Sequence, residues 1–128
     1  MEVAIGSGLN FPFYSRDIEL TGLDFSPEML KTAQNAAKDY PFKTTFIQKD
    51  VETVEFNENS FDTIISSASL CAYQEPVNVL NSFQKWCKPD GRILMIEHGI
   101  STNKFFGRVA KKIINPLALK AVGCHQDR

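Results

Sequence analysis

Glu2-Val3-Ala4-Ile5-Gly6-Ser7-Gly8-Leu9-Asn10 opens the chain, and its reading decides the fold. Apolar residues give way to two closely spaced glycines and then to a polar residue. That pattern fits a buried strand ending in a tight turn ahead of a helix. The next acidic landmark is Asp24, which follows an apolar run over 18–23. A glycine turn paired with an acid at the end of the next strand is the layout of a nucleotide half-site in a doubly wound α/β protein. A ligand lying across the carboxyl end of a sheet needs bare backbone close to it. An acid on the neighbouring strand can accept hydrogen bonds from ribose hydroxyls.

Downstream the chain alternates between strand and helix signals. Residues 9–14 are expected to open a first helix, with Pro12 confined to its first turn. Residues 19–24 read as a second strand. Ser26-Pro27-Glu28 is a helix start, with a cap, a proline at the first helical position and an acid in the first turn. That helix carries Leu30, Ala33, Ala37 and Tyr40 at helical spacing and is expected to stop at Pro41. Residues 44–48 read as a third strand and 61–67 as a fourth. A helix begins at Pro76, with Val79, Leu80, Phe83, Trp86 and Cys87 on its apolar face. Lys88-Pro89-Asp90-Gly91 reads as a turn, and 92–97 as a fifth strand of the fully buried kind. The expected architecture is a Rossmann-like α/β domain: one mostly parallel sheet with helices on both faces.

Size and composition bound the function. The chain has 128 residues, 43% hydrophobic and 23% charged, with a net charge of −1. This suits one globular domain over 1–128 and gives no overall charge that would call for nucleic acid. Cys71, Cys87 and Cys124 cannot all pair within the chain, which favours a reducing compartment. Cys124-His125 has no further partners at ligand spacing, so no metal site is expected. No stretch reaches the apolar length of a membrane span. The start so close to the glycine turn leaves no signal peptide, so a cytoplasmic protein is expected. The tail, 99–128, carries Lys104, Arg108, Lys111, Lys112 and Lys120, with Phe105, Val109, Ile113 and Leu117 at every fourth position. It reads as a basic amphipathic helix covering the sheet edge or the substrate mouth; the competing reading is contact with a membrane surface, peripheral rather than spanning. Nothing in the sequence sets an oligomeric state.

Five places could carry chemistry. The glycine turn lacks the third glycine of the dinucleotide fingerprint, because Phe11 stands where it would fall. A pyrophosphate would be crowded there, which disfavours a nicotinamide-dependent oxidoreductase. The bland reading is a turn that serves packing alone. Asp24-Phe25 offers a ribose acceptor, and Phe25 or Met29 could cover an adenine face; core packing is the bland reading of both. Lys49-Asp50-Val51-Glu52 could meet the adenine amino group and ring, or be an ordinary acidic turn. Ser66-Ser67-Ala68-Ser69-Leu70 brings small residues to the carboxyl edge but no nucleophile elbow. Glu97-His98 closes the fifth strand, and His98 could accept a proton from a substrate, although a structural histidine is the commoner use.

As a set, these residues resemble the class I S-adenosylmethionine-dependent methyltransferases. The matching stretches are Glu2-x-Ala4-x-Gly6-x-Gly8, Asp24-Phe25-Ser26-Pro27-x-Met29-Leu30, Gln48-Lys49-Asp50-Val51-Glu52, Phe61-Asp62 and Lys88-Pro89-x-Gly91-Arg92. The branch they look most like holds quinone C-methyltransferases, phospholipid N-methyltransferases and thiol S-methyltransferase-like proteins. The thiol group is favoured by residues 8–14, by Leu70-Cys71, by Glu97-His98 and by Gly123-Cys124 with Arg128. The resemblance implies S-adenosyl-L-methionine as cofactor and a small-molecule or lipid acceptor: a thiol, an amine or a quinone-ring carbon. It implies a site drawn from Glu2, Ala4, Gly6, Ser7, Gly8, Asn10, Asp24, Phe25, Met29, Asp50, Val51, Ser66, Ser67 and Leu70. Within that set, Glu2 and the backbone of Gly6-Ser7-Gly8 would hold the methionine part. Asp24 would hold the ribose, Asp50 and Val51 would frame the adenine, and 66–70 would lie beneath the sulfonium. Ala4 departs from the family's usual glycine. Family members also carry an N-terminal lid and two further strands, so the chain is expected to be a methyltransferase core truncated at both ends. The competing expectation is a non-catalytic fragment, or a cofactor-binding module without activity.

Overall fold

The computed structural model describes residues 1–97; His98 and the expected tail helix at 99–128 lie outside them. The sheet has five strands: β1 (Glu2–Val3), β2 (Glu19–Asp24), β3 (Lys43–Gln48), β4 (Phe61–Ser67) and β5 (Cys87–Ile96). Their order is β3-β2-β1-β4-β5, and every pairing is parallel. The helices are α1 (Pro27–Ala37), between β2 and β3, and α2 (Pro76–Trp86), between β4 and β5.

This order explains why the helices take opposite faces. The crossover from β2 to β3 steps away from the sheet centre in one direction, and that from β4 to β5 steps in the other. Right-handed connections running in opposite directions place their helices on opposite faces. Two separate cores result. On one face Leu30, Ala33 and Ala37 of α1 pack with Ile5, Phe11, Leu20 and Phe42. On the other, Val79, Phe83 and Trp86 of α2 pack with Val3, Leu23, Val51, Val54 and Ile64. Phe83 and Trp86 are almost wholly removed from water, and truncating either to alanine typically costs about 3–5 kcal/mol.

β1 is short but central. Val3 is fully buried, and sheet-like pairing runs past the strand at both ends through Ile65 N–H to the Met1 carbonyl (2.9 Å) and Ile5 N–H to the Leu23 carbonyl (3.1 Å). The strand order reverses between β1 and β4, which makes their carboxyl ends the switch point where such sheets bind ligands.

Four expectations need correction. Residues 9–14 do not form an α-helix; they hold only a 3₁₀ turn, Phe11–Phe13. Pro12 sits in the first turn, where its missing N–H costs nothing, but the Tyr14 cap is already extended, so the turn does not continue. Lys88-Pro89-Asp90-Gly91 is not a turn ahead of a strand but a bulge inside β5: Phe61 pairs with Cys87 and Thr63 already with Arg92. Third, β5 is not a buried strand among the described residues. It is the sheet edge there, and Ile93, Leu94, Met95 and Ile96 are exposed, the last at 76%. Fourth, α1 stops at Ala37, ahead of Tyr40 and Pro41. Tyr40 still joins the core, stacking on Phe42.

Candidate cofactor site at the switch point

The carboxyl ends of β1 to β4 enclose an open cavity of about 350 Å³. Its walls come from four successive strand ends: Ala4 after β1, Leu23 to Phe25 at the end of β2, Lys49 to Glu52 after β3, and Ser67 to Ser69 with Ala72 to Gln74 after β4. That volume is within the range of small-molecule and cofactor sites.

Asp24 organises the floor. It is buried, and its two oxygens serve two turns. Oδ2 accepts the Gly6 amide (2.8 Å) and Oδ1 accepts the Ser26 amide (2.9 Å). The acid thus ties the turn after β1 to the start of α1, whose cap Ser26 accepts the Met29 amide (3.3 Å). Each carboxylate oxygen has two lone pairs, so capacity remains for a ligand's hydroxyls. Gly6 has φ +56°, and a Cβ there would meet nothing within 4 Å. Gly8 has φ +83°, and a Cβ there would strike the buried Phe11 ring. The two glycines are needed for different reasons: both supply left-handed backbone, but Gly8 alone supplies close packing. Ala4 and Ala68 are also left-handed, at φ 50° and 51°. They follow β1 and β4 on the two sides of the switch point, and both line the cavity. Backbone strain held at paired positions of a ligand cleft is a mark of a functional site.

Glu2 sits behind the turn. Its Oε1 accepts from Asn10 Nδ2 (2.7 Å) and its Oε2 from the Tyr14 hydroxyl (2.6 Å). Asn10 Nδ2 also reaches Ser67 Oγ (3.3 Å), joining the turn after β1 to β4. Burial raises the Glu2 carboxyl above its ordinary value, against the opposing pull of the Tyr14 and Asn10 hydrogen bonds. Burial and the Glu2 carboxylate together push the Tyr14 hydroxyl well up. The native state therefore keeps the Glu2 proton to higher pH than the unfolded chain does. Stability is expected to fall as pH rises from the ordinary 4.5 through the raised value, and to be flat in this respect below it. Urea midpoints measured against pH should show that decline in the wild type and a flatter curve in Glu2→Gln. Parallel curves would refute it.

Of the residues singled out by sequence, the structure brings Ala4, Asp24, Phe25, Asp50, Val51 and Ser67 to the cavity wall. Glu2, Gly6, Ser7, Gly8, Asn10, Met29, Ser66 and Leu70 are not part of that wall. Gly6, Glu2 and Asn10 support it through the bonds above. Ser66 is fully buried and faces away, bonded to Ser69 Oγ (2.8 Å) and Glu97 Oε1 (2.9 Å). Phe25 is 75% exposed and Met29 48%, so neither is core, and Phe25 forms part of the rim. His98 lies outside the described residues. Ala72, Tyr73 and Gln74 are wall residues that sequence reasoning did not select. Burial pushes the Tyr73 hydroxyl up to about 12, with Ser69 beside it pulling the other way. Among the described residues no cluster of His, Cys, Asp and Glu could hold a metal ion, and no helix is long and apolar enough to cross a membrane.

Residues 1–95 match the family model of the methyltransferase domain. The chain belongs to that family. It is 29% identical over 100 residues to a phosphatidylethanolamine N-methyltransferase of Cereibacter sphaeroides, a match covering 77% of this chain and 49% of the relative. It is 33% identical over 88 residues to the ubiquinone/menaquinone biosynthesis C-methyltransferase UbiE of Bdellovibrio bacteriovorus, covering 69% of this chain and 37% of that one. The crystal structure of the YcgJ protein of Bacillus subtilis shares the fold with a TM-score of 0.77 at 21% identity, over 98% of this chain and 53% of the other. The chain thus spans half the length, or less, of these curated relatives.

Proposed function

We propose that this domain binds S-adenosyl-L-methionine in the cavity at the switch point and transfers its methyl group to a small-molecule or lipid acceptor. The observation that carries the reading is Asp24. It is a buried carboxylate, fixed by the amides of Gly6 and Ser26, with acceptor capacity left over beside a cavity of cofactor size. The residues present suit this cofactor better than a dinucleotide. Phe11 occupies the third-glycine position and is buried in the core beside Gly8, so the turn lacks the glycine that the dinucleotide fingerprint uses for close helix–strand packing.

In this reading Asp24 holds the ribose hydroxyls, Asp50 and Val51 frame the adenine, and the backbone around Ala4 and Gly6 leaves room for the amino-acid tail. When bound, the cofactor supplies a methyl group already activated by its sulfonium. The protein's task is then alignment and exclusion of water. Ser67 and Ala68 form the side of the cavity on which the acceptor would approach. The names of the relatives support an amine-bearing lipid or a quinone ring as acceptor, and a thiol stays open on the sequence resemblance.

Calorimetry of the full chain with S-adenosylhomocysteine tests the proposal, with reduced nicotinamide dinucleotide as control. Saturable binding of the first alone is expected. Binding of the dinucleotide, or of neither, would overturn it. One observation favours a second reading, a cofactor-binding module that is inactive by itself. The apolar β5 edge is uncovered among the described residues, as if a further segment or chain belonged against it. Binding without turnover on amine, quinone and thiol acceptors would select that reading.

A further inference from the structure

Glu97 lines no part of the cavity, yet it is hydrogen-bonded to a loop that forms one of its walls. The residue follows β5, and its carboxylate reaches across to the loop after β4. Oε1 accepts from Ser66 Oγ (2.9 Å) and from the Ser69 amide (3.3 Å), and Oε2 accepts from the Leu70 amide (3.3 Å). Those amides open the 3₁₀ turn Leu70–Ala72, and Ser69 makes no side-chain cap of its own there. Opening amides of a helical turn need an acceptor. Glu97 supplies it from another strand, and charged acceptors make the stronger bonds. The Ser66 hydroxyl adds a brace by bonding Ser69 Oγ at 2.8 Å.

The loop needs this hold because its first residue is strained. Ala68 has φ 51°, a conformation that L-residues other than glycine seldom adopt. Its amide is pinned to the Ile96 carbonyl at 2.7 Å, one residue before Glu97. Ala68, Ser69, Ala72, Tyr73 and Gln74 all line the cavity. Released from β5, Ala68 would relax toward ordinary backbone and carry that wall with it.

We infer that Glu97 is a positioning residue: it holds the segment 68–74 in its strained, binding-competent shape without touching the ligand. This rests on the cofactor reading above. The test measures S-adenosylhomocysteine affinity by calorimetry, and amide exchange at Ser69 and Leu70, in four full-length chains: wild type, Glu97→Gln, Ser66→Ala, and Glu97→Gln with Ala68→Gly. Glutamine keeps the shape but turns an N–H toward one of the loop's donors. Affinity should fall about tenfold or more, as losing a hydrogen bond to a charged acceptor implies, and amide exchange at Ser69 and Leu70 should quicken. Ser66→Ala should weaken binding by a smaller factor. Adding Ala68→Gly should restore most of the loss, because glycine accepts the left-handed conformation without being held. A loss from general destabilisation would not be recovered at that one position. Equal affinity in wild type and Glu97→Gln would overturn the inference, as would a loss that Ala68→Gly leaves unchanged. If Glu97→Gln does not fold, Ser66→Ala carries the test, and unaltered affinity and exchange there would overturn it. If the wild type itself binds no S-adenosylhomocysteine, the cofactor reading fails. The exchange at Ser69 and Leu70 then still decides whether Glu97 holds the loop.

Discussion

Asp24→Ala is expected to reduce S-adenosylhomocysteine binding below detection by calorimetry. Two losses coincide at this residue. On the proposed ribose assignment, the ligand loses a charged acceptor for its hydroxyls, and each such bond contributes about 1.5–3 kcal/mol. Two of them correspond to a factor of roughly 10²–10⁴ in affinity. The Gly6 and Ser26 amides also lose their acceptor, so the turn after β1 and the start of α1 are no longer tied together. Asp24→Asn separates the two effects. Its one remaining acceptor oxygen can serve one of these turns, while its amide group faces the donor of the other. Binding in that variant should be weakened but measurable. The backbone bond from the Lys49 amide to the Asp24 carbonyl (3.1 Å) does not depend on the side chain, so β2 and β3 stay paired and far-UV circular dichroism should be close to wild type. Wild-type affinity in Asp24→Ala would sink the ribose assignment.

How much of this was legible depends on how local the cause is. The ends of β2 and β4, the start of α1 at Ser26-Pro27 and the start of α2 at Pro76 all arise from residues that act on their immediate neighbours, and sequence reading placed them well. The expected helix at 9–14 failed because glycine spacing marks a turn without specifying the element after it. Phe11 is drawn down against Gly8 and into a cluster with Tyr14, Tyr40 and Phe42, and that packing, which helical periodicity does not encode, shapes the segment. β5 reads as a buried strand because Ile-Leu-Met-Ile looks the same in the middle of a sheet as at its edge; position in the sheet is a property of the topology. The cavity-wall residues Ala4, Asp24, Asp50, Val51 and Ser67 were readable because each lies at or just past the end of a strand. Tyr73 and its neighbours were not. They reach the cavity through a loop held by Glu97, more than twenty residues away in sequence, and no spacing rule links those positions.

Gly8→Ala is expected to be the most damaging single methyl group in the glycine turn after β1. The added carbon must adopt φ +83° and would strike the Phe11 ring. The backbone strain costs about 1–2 kcal/mol. The collision adds about 1–3 kcal/mol of overpacking, because Phe11 is 1% exposed and edge-packed on Tyr40 and Phe42 at 5.7 and 5.6 Å, leaving the ring nowhere to go. Together these take a large share of the roughly 5–15 kcal/mol that stabilises a typical domain. The thermal midpoint should drop on the order of 10 °C. Gly6→Ala is the control. It carries the same kind of strain at φ +56° but meets nothing within 4 Å, so its cost should stay near the strain alone. Ala4 shows that the turn already tolerates one such residue, at φ 50°. Pairing Gly8→Ala with Phe11→Leu isolates the collision. A smaller side chain at position 11 should make the second substitution cheaper than it is in the wild type, which a double-mutant cycle reads directly. If Gly8→Ala and Gly6→Ala destabilise equally and the cycle shows no coupling, then Gly8 is there for its φ alone.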